Sequence, residues 1–162
     1  RCVVFVFRAK HNSRKGEKMF KHIVLATDGS PSAAKASQTA IDLARVHGAK
    51  ITAAFVIDPY PYMSLGEDSG EAFQAYMNAA HATSLKVTGE LEQKAKQAGV
   101  QLEKSVIEGD DVATAITTLA EQQGGDLLVL GSHGRTGIER FILGSVAGKV
   151  LSLSKVPVLI AR

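Results

Sequence analysis

The sequence predicts an α/β fold in which helices cover both faces of a five-stranded parallel sheet. From residue 20 onward, short β-branched runs alternate with longer segments of helical period, an order that favours crossover connections between parallel strands. Glycine recurs at the joints between helix and strand, at Gly48, Gly99 and Gly124, where a left-handed helix cap is expected. With 162 residues and 45% hydrophobic content, the chain suits a single core and a single domain.

The β-branched runs predict the strands, and a capping residue followed by proline predicts the start of the first helix. We expect Ser30 to cap this helix and Pro31 to occupy its first turn, because proline lacks the N–H group that has no partner there. The small residues expected to face the sheet are Ala33, Ala36, Ala40, Leu43 and Ala44. The expected strands are residues 22–27, 50–57, 101–107, 126–131 and 156–161.

Apolar residues at intervals of three and four predict three further helices. The second spans residues 71–98, the third begins near Asp110, and the fourth follows Gly144. The residues expected to face the core are Phe73, Tyr76, Met77, Ala80, Val87, Leu91, Ala95 and Ala98 in the second helix, Val112, Ile116 and Leu119 in the third, and Val146, Ala147, Val150 and Leu151 in the fourth.

Charge and composition argue against several classes of partner. Residues 1–18 hold six basic residues and one acidic residue, a net charge of +5, whereas residues 19–162 hold 13 basic and 15 acidic residues and carry −2. A nucleic-acid partner would need a clustered basic face, and no apolar run reaches the roughly 20 residues of a membrane-spanning helix. Cys2 is the only cysteine, so no intrachain disulfide can form. We expect a cytoplasmic protein without nucleic-acid or membrane partners.

The first 18 residues stand apart from the remainder of the chain. Met19 opens directly onto the first strand pattern. We interpret residues 1–18 as an extension that was added to the protein or is encoded upstream, and residues 19–162 as the domain. The alternative interpretation is a basic arm with an additional edge strand at residues 3–7.

The most informative motif lies near the C-terminus, between an apolar strand and a helical segment. Gly131 and Gly134 are followed, after nine residues, by Gly144 and Ser145. Glycines let backbone N–H groups approach an anion, and the free N–H groups and positive dipole end of the next helix favour phosphate. No Lys-Ser or Lys-Thr pair closes this loop, and no Gly-x-Gly-x-x-Gly pattern follows the first strand, so the motif is neither a P-loop nor a dinucleotide fingerprint. The spacing predicts a phosphate cradle.

A parallel sheet binds ligands beyond the carboxyl ends of its strands, where the strand order reverses. We expect the first and fourth strands to be neighbours at that point. Adenine would lie in an apolar slot with its edge bonded to the backbone of the second strand, and Asp28 would suit ribose or base N–H groups, or a metal ion. The residues brought together would be Ala26, Thr27, Asp28, Val56, Asp58, Leu130, Gly131 and Gly134.

At these motifs the chain resembles the universal stress protein family, specifically its ATP-binding branch. The family pattern Gly-x-x-Gly, nine residues, Gly-Ser is met in full by Gly131, Gly134, Gly144 and Ser145. Similarity extends over residues 19–162 and includes the segments 23–30, 55–58, 130–135 and 156–160.

The resemblance implies a doubly wound sheet of order 3-2-1-4-5 and a homodimer formed through the last strand, residues 156–161. It also implies bound ATP, with Mg²⁺ or Mn²⁺ as optional companions. Ala26, where some family members have proline, matches the adenine and ribose side together with Thr27 and Asp28. The other matching residues are Val56 for the adenine edge, Leu130 and Gly131 for the ribose wall, and Gly134, Gly144, Ser145 and Val146 for the phosphates.

Several residues stay open to more than one interpretation. Arg135 and Arg140 follow the first glycine pair and are candidate phosphate contacts or solvated side chains. His133 has no partner fixed by sequence, so we expect at most a positioning role, and we predict no catalytic residue. Asp110 and Asp111 fit a helix cap better than a metal site. Residues 58–70 form a long connection that is either a lid or simply a mobile loop.

Three functions remain. The favoured one is a nucleotide-dependent regulatory homodimer that responds to stress and hydrolyses ATP slowly or not at all. A nucleotide hydrolase or phosphoryl-transfer enzyme would need a positioned base, a metal ion and a charge clamp, of which the sequence supplies little. A dimeric interaction module without nucleotide would not need the glycines, which are intact.

Overall fold

A computed structural model describes residues 6–7, 20–59, 70–134 and 143–162 of the chain. The strands are β1 (Val6–Phe7), β2 (His22–Ala26), β3 (Lys50–Ile57), β4 (Leu102–Glu108), β5 (Leu127–Gly131) and β6 (Val158–Ala161). The helices are α1 (Pro31–His47), α2 (Gly70–Gln97), α3 (Val112–Gln122) and α4 (Ser145–Leu153). Among these residues, no helix is long and apolar enough to cross a membrane.

Five of the strands form the predicted parallel sheet, in the order β4-β3-β2-β5-β6. This confirms the order 3-2-1-4-5 and places β2 directly beside β5, with Leu25 opposite Val129. A sixth strand, β1, lies antiparallel on the outer edge of β6, with Val6 opposite Leu159. The favoured interpretation of residues 1–18 includes no strand, whereas the alternative edge strand agrees with β1 at Val6–Phe7. Residues 3–5 of that expected strand lie outside the described residues.

The last strand begins two residues later than predicted. Ser154 forms a turn with Val156, because its hydroxyl donates to the Val156 carbonyl (2.8 Å) and accepts the Val156 N–H (3.2 Å). This turn keeps residues 154–156 out of the ladder, and β6 starts only after Pro157. The other predicted strand boundaries agree with the structure within one residue.

Successive side chains of a strand point to opposite faces of the sheet, so one part of the core lies on each face. Ile23 and Leu25 lie on the face that packs against α1 and α2. Val24 and Ala26 lie on the opposite face, against α3 and α4. The inner strands are buried on both sides, as expected for a parallel sheet with helices on each face.

The predicted core faces of the helices are confirmed in part. In α1 the four alanines are buried, whereas Leu43 is only partly buried. In α2 and α3 several larger side chains flank the core instead of filling it. The buried residues there are Met77, Ser84, Thr88, Leu91 and Ala95 in α2 and Ala113, Ile116, Thr117 and Ala120 in α3.

The prediction that Val146 faces the core is wrong. Only Ala147 and Val150 of α4 are buried, and Val146 is 38% exposed. Val146 lies in the first turn of α4 and lines a pocket instead of packing in the core.

Helix caps follow the sequence signals. Ser30 caps α1 through a hydrogen bond from the Ala33 N–H to its hydroxyl (3.1 Å), and Gly48 ends α1 in the left-handed conformation. Asp111 caps α3, so of the Asp110 and Asp111 pair only the second is the cap.

Candidate functional site

A pocket of about 300 Å³ lies beyond the carboxyl ends of β2 and β5. The direct pairing of these strands brings the two ends together. The predicted nucleotide-binding residues that the structure describes all line this pocket: Ala26, Thr27, Asp28, Val56, Leu130, Gly131, Gly134, Gly144, Ser145 and Val146. Asp58, expected at the same wall, does not line it. Arg135 and Arg140 lie outside the described residues, as does most of the connection 58–70.

The turn after β2 is held by short hydrogen bonds. The Thr27 N–H donates to the Ala54 carbonyl (2.9 Å), and the Thr27 hydroxyl accepts the Gly29 N–H (3.3 Å). Asp28 Oδ1 accepts the Ser30 N–H at 2.9 Å, which ties its carboxylate to the start of α1. Gly29 has a φ of +78°, a conformation that disfavours a side chain. Thr27 and Asp28 are therefore fixed at the pocket wall by backbone contacts.

The backbone of Val56 faces the space beyond the end of β2. Successive residues of a parallel strand direct their N–H and C=O groups to alternate neighbours. The Ala54 carbonyl accepts from Thr27 on the β2 side, and the Ile57 carbonyl accepts the Gly109 N–H (3.0 Å) on the β4 side. Val56 is two residues after Ala54, so its N–H and C=O groups point to the same side of β3 as those of Ala54. The neighbouring strand on that side, β2, ends at Ala26, opposite Ala54. The N–H and C=O of Val56 therefore point to the side of β3 where no strand follows.

The apolar wall of the pocket is larger than the sequence indicated. Ala54 and Ala26 come from β3 and β2, and Leu130 comes from β5. Val112 and Ile116 of α3 complete the wall, although periodicity predicted both only as core residues. Their contribution depends on where α3 crosses the sheet, which the sequence pattern does not encode.

The glycines of the motif have separate roles. A Cβ atom on Gly131 would lie 2.8 Å from the Ser32 carbonyl carbon and 2.9 Å from the Ala33 nitrogen, so this glycine admits the first turn of α1. A Cβ on Gly134 would lie 3.1 Å from Asp28 Oδ2, at the pocket. A Cβ on Gly144 would lie 3.0 Å from the Ser132 carbonyl oxygen. That oxygen accepts the Gly144 N–H at 2.9 Å, which joins the two halves of the motif.

The N-terminus of α4 has no side-chain cap. Its N-cap residue is Gly144, whereas α1 and α3 are capped by the side chains of Ser30 and Asp111. The first N–H bonded within α4 is that of Gly148, to the Gly144 carbonyl (2.9 Å). The preceding N–H groups, of Ser145, Val146 and Ala147, belong to the first turn, where no intrahelical acceptor exists. All three residues line the pocket, so the positive end of the α4 dipole lies there.

A cluster of two serines and a histidine flanks this helix terminus. Ser132 Oγ lies 3.0 Å from His133 Nδ1 and 3.5 Å from Ser32 Oγ. The His133 N–H donates to Ser32 Oγ at 3.4 Å. Ser132 and His133 also line the pocket. Sequence reasoning did not assign Ser132, because its contact with Ser32 joins positions 100 residues apart.

Charged groups are sparse in the described wall of the pocket. Asp28 is the one carboxylate there, and no lysine or arginine among the described residues lines it. Nearby, the Lys149 ammonium of α4 donates to Asp111 Oδ2 of α3 (2.7 Å). This contact, with the Thr114 hydroxyl, lowers the pKa of Asp111 to about 2. Within the described ranges, no three His, Cys, Asp or Glu residues are grouped to hold a metal ion.

The sequence of this chain matches a known protein family and curated relatives. The universal stress protein family model matches residues 19–162. A universal stress protein of Methanocaldococcus jannaschii is 35% identical over 150 residues, which cover 92% of this chain and 86% of the relative. Universal stress protein YxiE of Bacillus subtilis is 32% identical over 149 residues, which cover 89% of this chain and all of the relative.

Solved structures share the fold. Universal stress protein UspA from Lactobacillus plantarum superposes with a TM-score of 0.81 at 23% identity, over 88% of this chain and 98% of that one. A universal stress protein in complex with cAMP superposes with a TM-score of 0.64 at 26% identity, over 88% of this chain and 96% of that one. The family-model match over residues 19–162 and the relative that is 35% identical establish that the chain belongs to the universal stress protein family.

Proposed function

We propose that this chain binds an adenine nucleotide, ATP in first place, in the pocket between β2, β3, β5 and α4. One juxtaposition carries the proposal. The Val56 backbone points into the space beyond β2, and the uncapped N-terminus of α4 lines the same pocket. The Val56 backbone can form hydrogen bonds with the edge of a base, and the N-terminus of α4 can bind phosphate.

Each part of the nucleotide has a matching part of the pocket. Adenine would lie against Ala26, Ala54 and Leu130, with its polar edge on the Val56 backbone. The ribose would lie between Thr27, Asp28 and Gly131. The phosphates would accept hydrogen bonds from the N–H groups that follow Gly144, with Gly134 leaving room for them. Arg135 is proposed as a further phosphate contact.

The cofactor is proposed with or without a divalent ion. Asp28 would be the carboxylate nearest to a Mg²⁺ or Mn²⁺ ion carried by the phosphates, as the one carboxylate in the described lining. The structural relative bound to cAMP supports an adenine ring as ligand.

The proposed role is regulatory: a cytoplasmic homodimer that links nucleotide binding to stress and hydrolyses ATP slowly or not at all. Asp28 Oδ1 already accepts the Ser30 N–H, and no lysine or arginine among the described residues lines the pocket as a charge clamp. Rapid phosphoryl transfer needs a positioned base together with such a clamp. This favours binding over the alternative of a nucleotide hydrolase, and the intact cradle disfavours a module without nucleotide.

Calorimetric titration of ATP tests the proposal with two variants. Gly134→Val places a branched side chain next to Asp28 Oδ2, where even a Cβ atom would be at 3.1 Å, and we expect it to abolish measurable binding. Gly89→Ala in α2 is the matched control, because a Cβ there meets nothing within 4 Å. We expect micromolar affinity in the wild type and the control. Absence of binding in the wild type, or equal binding by Gly134→Val, would contradict the proposal.

A further inference from the structure

His133 Nε2 is unique among the described residues. It is the one buried side-chain nitrogen or oxygen that has no hydrogen-bond partner. A buried polar atom without a partner costs free energy and is rare in folded proteins. The arrangement therefore requires an explanation, such as a missing partner.

The other ring nitrogen, Nδ1, already has a hydrogen-bond partner. That contact indicates which ring nitrogen of the neutral imidazole carries the hydrogen. Ser132 Oγ is 3.0 Å from Nδ1. Ser32 Oγ accepts the His133 N–H and lies 3.5 Å from Ser132 Oγ. If each hydroxyl donates to the next group, the Ser32 hydroxyl donates to Ser132 and the Ser132 hydroxyl donates to Nδ1. Nδ1 is then an acceptor, and the hydrogen of the neutral ring resides on Nε2.

The location of the ring suggests what the partner would be. His133 lines the pocket together with Gly144 and Ser145. Its Cα would be 3.4 Å from a Cβ atom on Gly144, so its backbone packs against the start of α4. An N–H donor beside the positive end of a helix dipole complements an anionic oxygen.

We propose that His133 Nε2–H donates a hydrogen bond to a phosphate oxygen of the bound nucleotide, and that Ser132 holds the ring in this tautomer. This rests on the proposed function, since it assumes a nucleotide in the pocket. It adds a side-chain donor to the backbone N–H groups of the cradle and to the proposed contact from Arg135. His133 is thus a residue that distinguishes phosphorylated ligands from nucleosides.

Affinities for ATP and adenosine test the contact. Replacing His133→Phe removes the donor and keeps a ring of similar size, so we expect ATP to bind about tenfold more weakly, the effect of one charge-assisted hydrogen bond. Adenosine, which has no phosphate, should bind the variant and the wild type equally. His133→Gln, which retains an N–H donor near the Nε2 position, should recover part of the ATP affinity.

Imidazole ¹⁵N spectra of the wild-type protein provide a readout that needs no variant to fold. We expect the free protein to show the His133 ring protonated at Nε2, and ATP, but not adenosine, to shift the Nε2 resonance. Ser132→Ala should weaken the preference for that tautomer, as expected of a positioning residue.

The outcomes separate this inference from the function on which it rests. Failure of the wild type to bind ATP would overturn both. Normal ATP binding by the wild type, combined with unchanged ATP affinity in a folded His133→Phe protein or an Nε2 resonance that ATP does not move, would overturn only the role of His133.

Discussion

Gly131 and Gly134 belong to one motif, but they meet different atoms. A side chain on Gly131 would collide with the backbone of Ser32 and Ala33 in the first turn of α1. A side chain on Gly134 would approach only the end of the Asp28 carboxylate, at 3.1 Å. The first glycine thus serves the packing of helix against strand, and the second leaves room in the pocket. The sequence spacing alone predicts that both glycines belong to the ligand site.

Gly131→Ala is therefore expected to destabilise the fold. Its Cβ would lie 2.8 Å and 2.9 Å from backbone atoms of α1, and such overpacking costs about 1–3 kcal/mol. Urea unfolding of Gly131→Ala and of the wild type measures the difference. Gly89→Ala, a helical position with open space, should instead stabilise by about 0.5–1 kcal/mol. Equal stability of Gly131→Ala and the wild type would show that α1 does not pack as described.

At the scale of the elements, a buried polar network ties the start of the sheet together at the end opposite the pocket. His22 is 5% exposed, with Nδ1 on the Gln123 carbonyl (3.1 Å) and Nε2 on the Thr52 hydroxyl (2.8 Å). Asp126 Oδ1 accepts the His22 N–H at 3.1 Å. The network joins the first residues of β2 and β3 to the turn between α3 and β5.

Burial, followed by the nearby Lys50 ammonium, lowers the pKa of His22 below its ordinary value of 6.5. The Gln123 carbonyl and the carboxylates of Asp126 and Glu103 oppose this shift without reversing it. The unfolded chain therefore binds a proton at this residue more readily than the folded protein does. The contribution of His22 to the free energy of unfolding is constant above the unfolded pKa and falls as the pH decreases through 6.5 towards the folded pKa.

We expect His22→Gln to remove this component of the pH dependence. Urea denaturation of the wild type and the variant between pH 7 and pH 5 measures it. The wild type should lose more stability than His22→Gln over this window, whatever the baseline stability of the variant. Parallel stability curves would show that the pKa of His22 is the same in the folded and unfolded states.

At the scale of the whole molecule, the outer edge of β6 decides how copies of the chain could associate. The proposed homodimer uses this edge, but Val6 and Phe7 of β1 already pair with Leu159 and Val158. An edge strand without a partner is a template for pairing with another chain. β1 and a second copy would therefore compete for the same backbone groups.

Light scattering after size exclusion tests this competition. We expect a protein comprising residues 19–162, the part matched by the family model, to elute as a dimer. The full chain should dimerise more weakly, because β1 must first leave β6. A protein of residues 19–162 that remains monomeric would contradict dimerisation through this edge.

The arrangement of the parallel sheet could be predicted from the sequence because caps and turns are specified by local residues and the strand order is implied by the family resemblance. Ser30, Gly48 and the glycine motif each specify a cap or a turn by their own chemistry, and the strand order followed from the resemblance. What the sequence missed depends on tertiary placement. The exposure of Val146 follows from where α4 starts, and the pairing of β1 from residues about 150 positions apart. The contact of Ser32 with Ser132 is likewise a product of the folded sheet.

The central claim is that ATP binds between the Val56 backbone and the start of α4, and an amide ¹H–¹⁵N titration with ATP tests it most directly. We predict the largest shifts at Gly134, Gly144, Ser145 and Val146, with Val56 also perturbed. The amide of His22, at the opposite end of the sheet, should remain unchanged. No shift at saturating ATP, or shifts grouped around His22 and away from the glycines, would contradict the account.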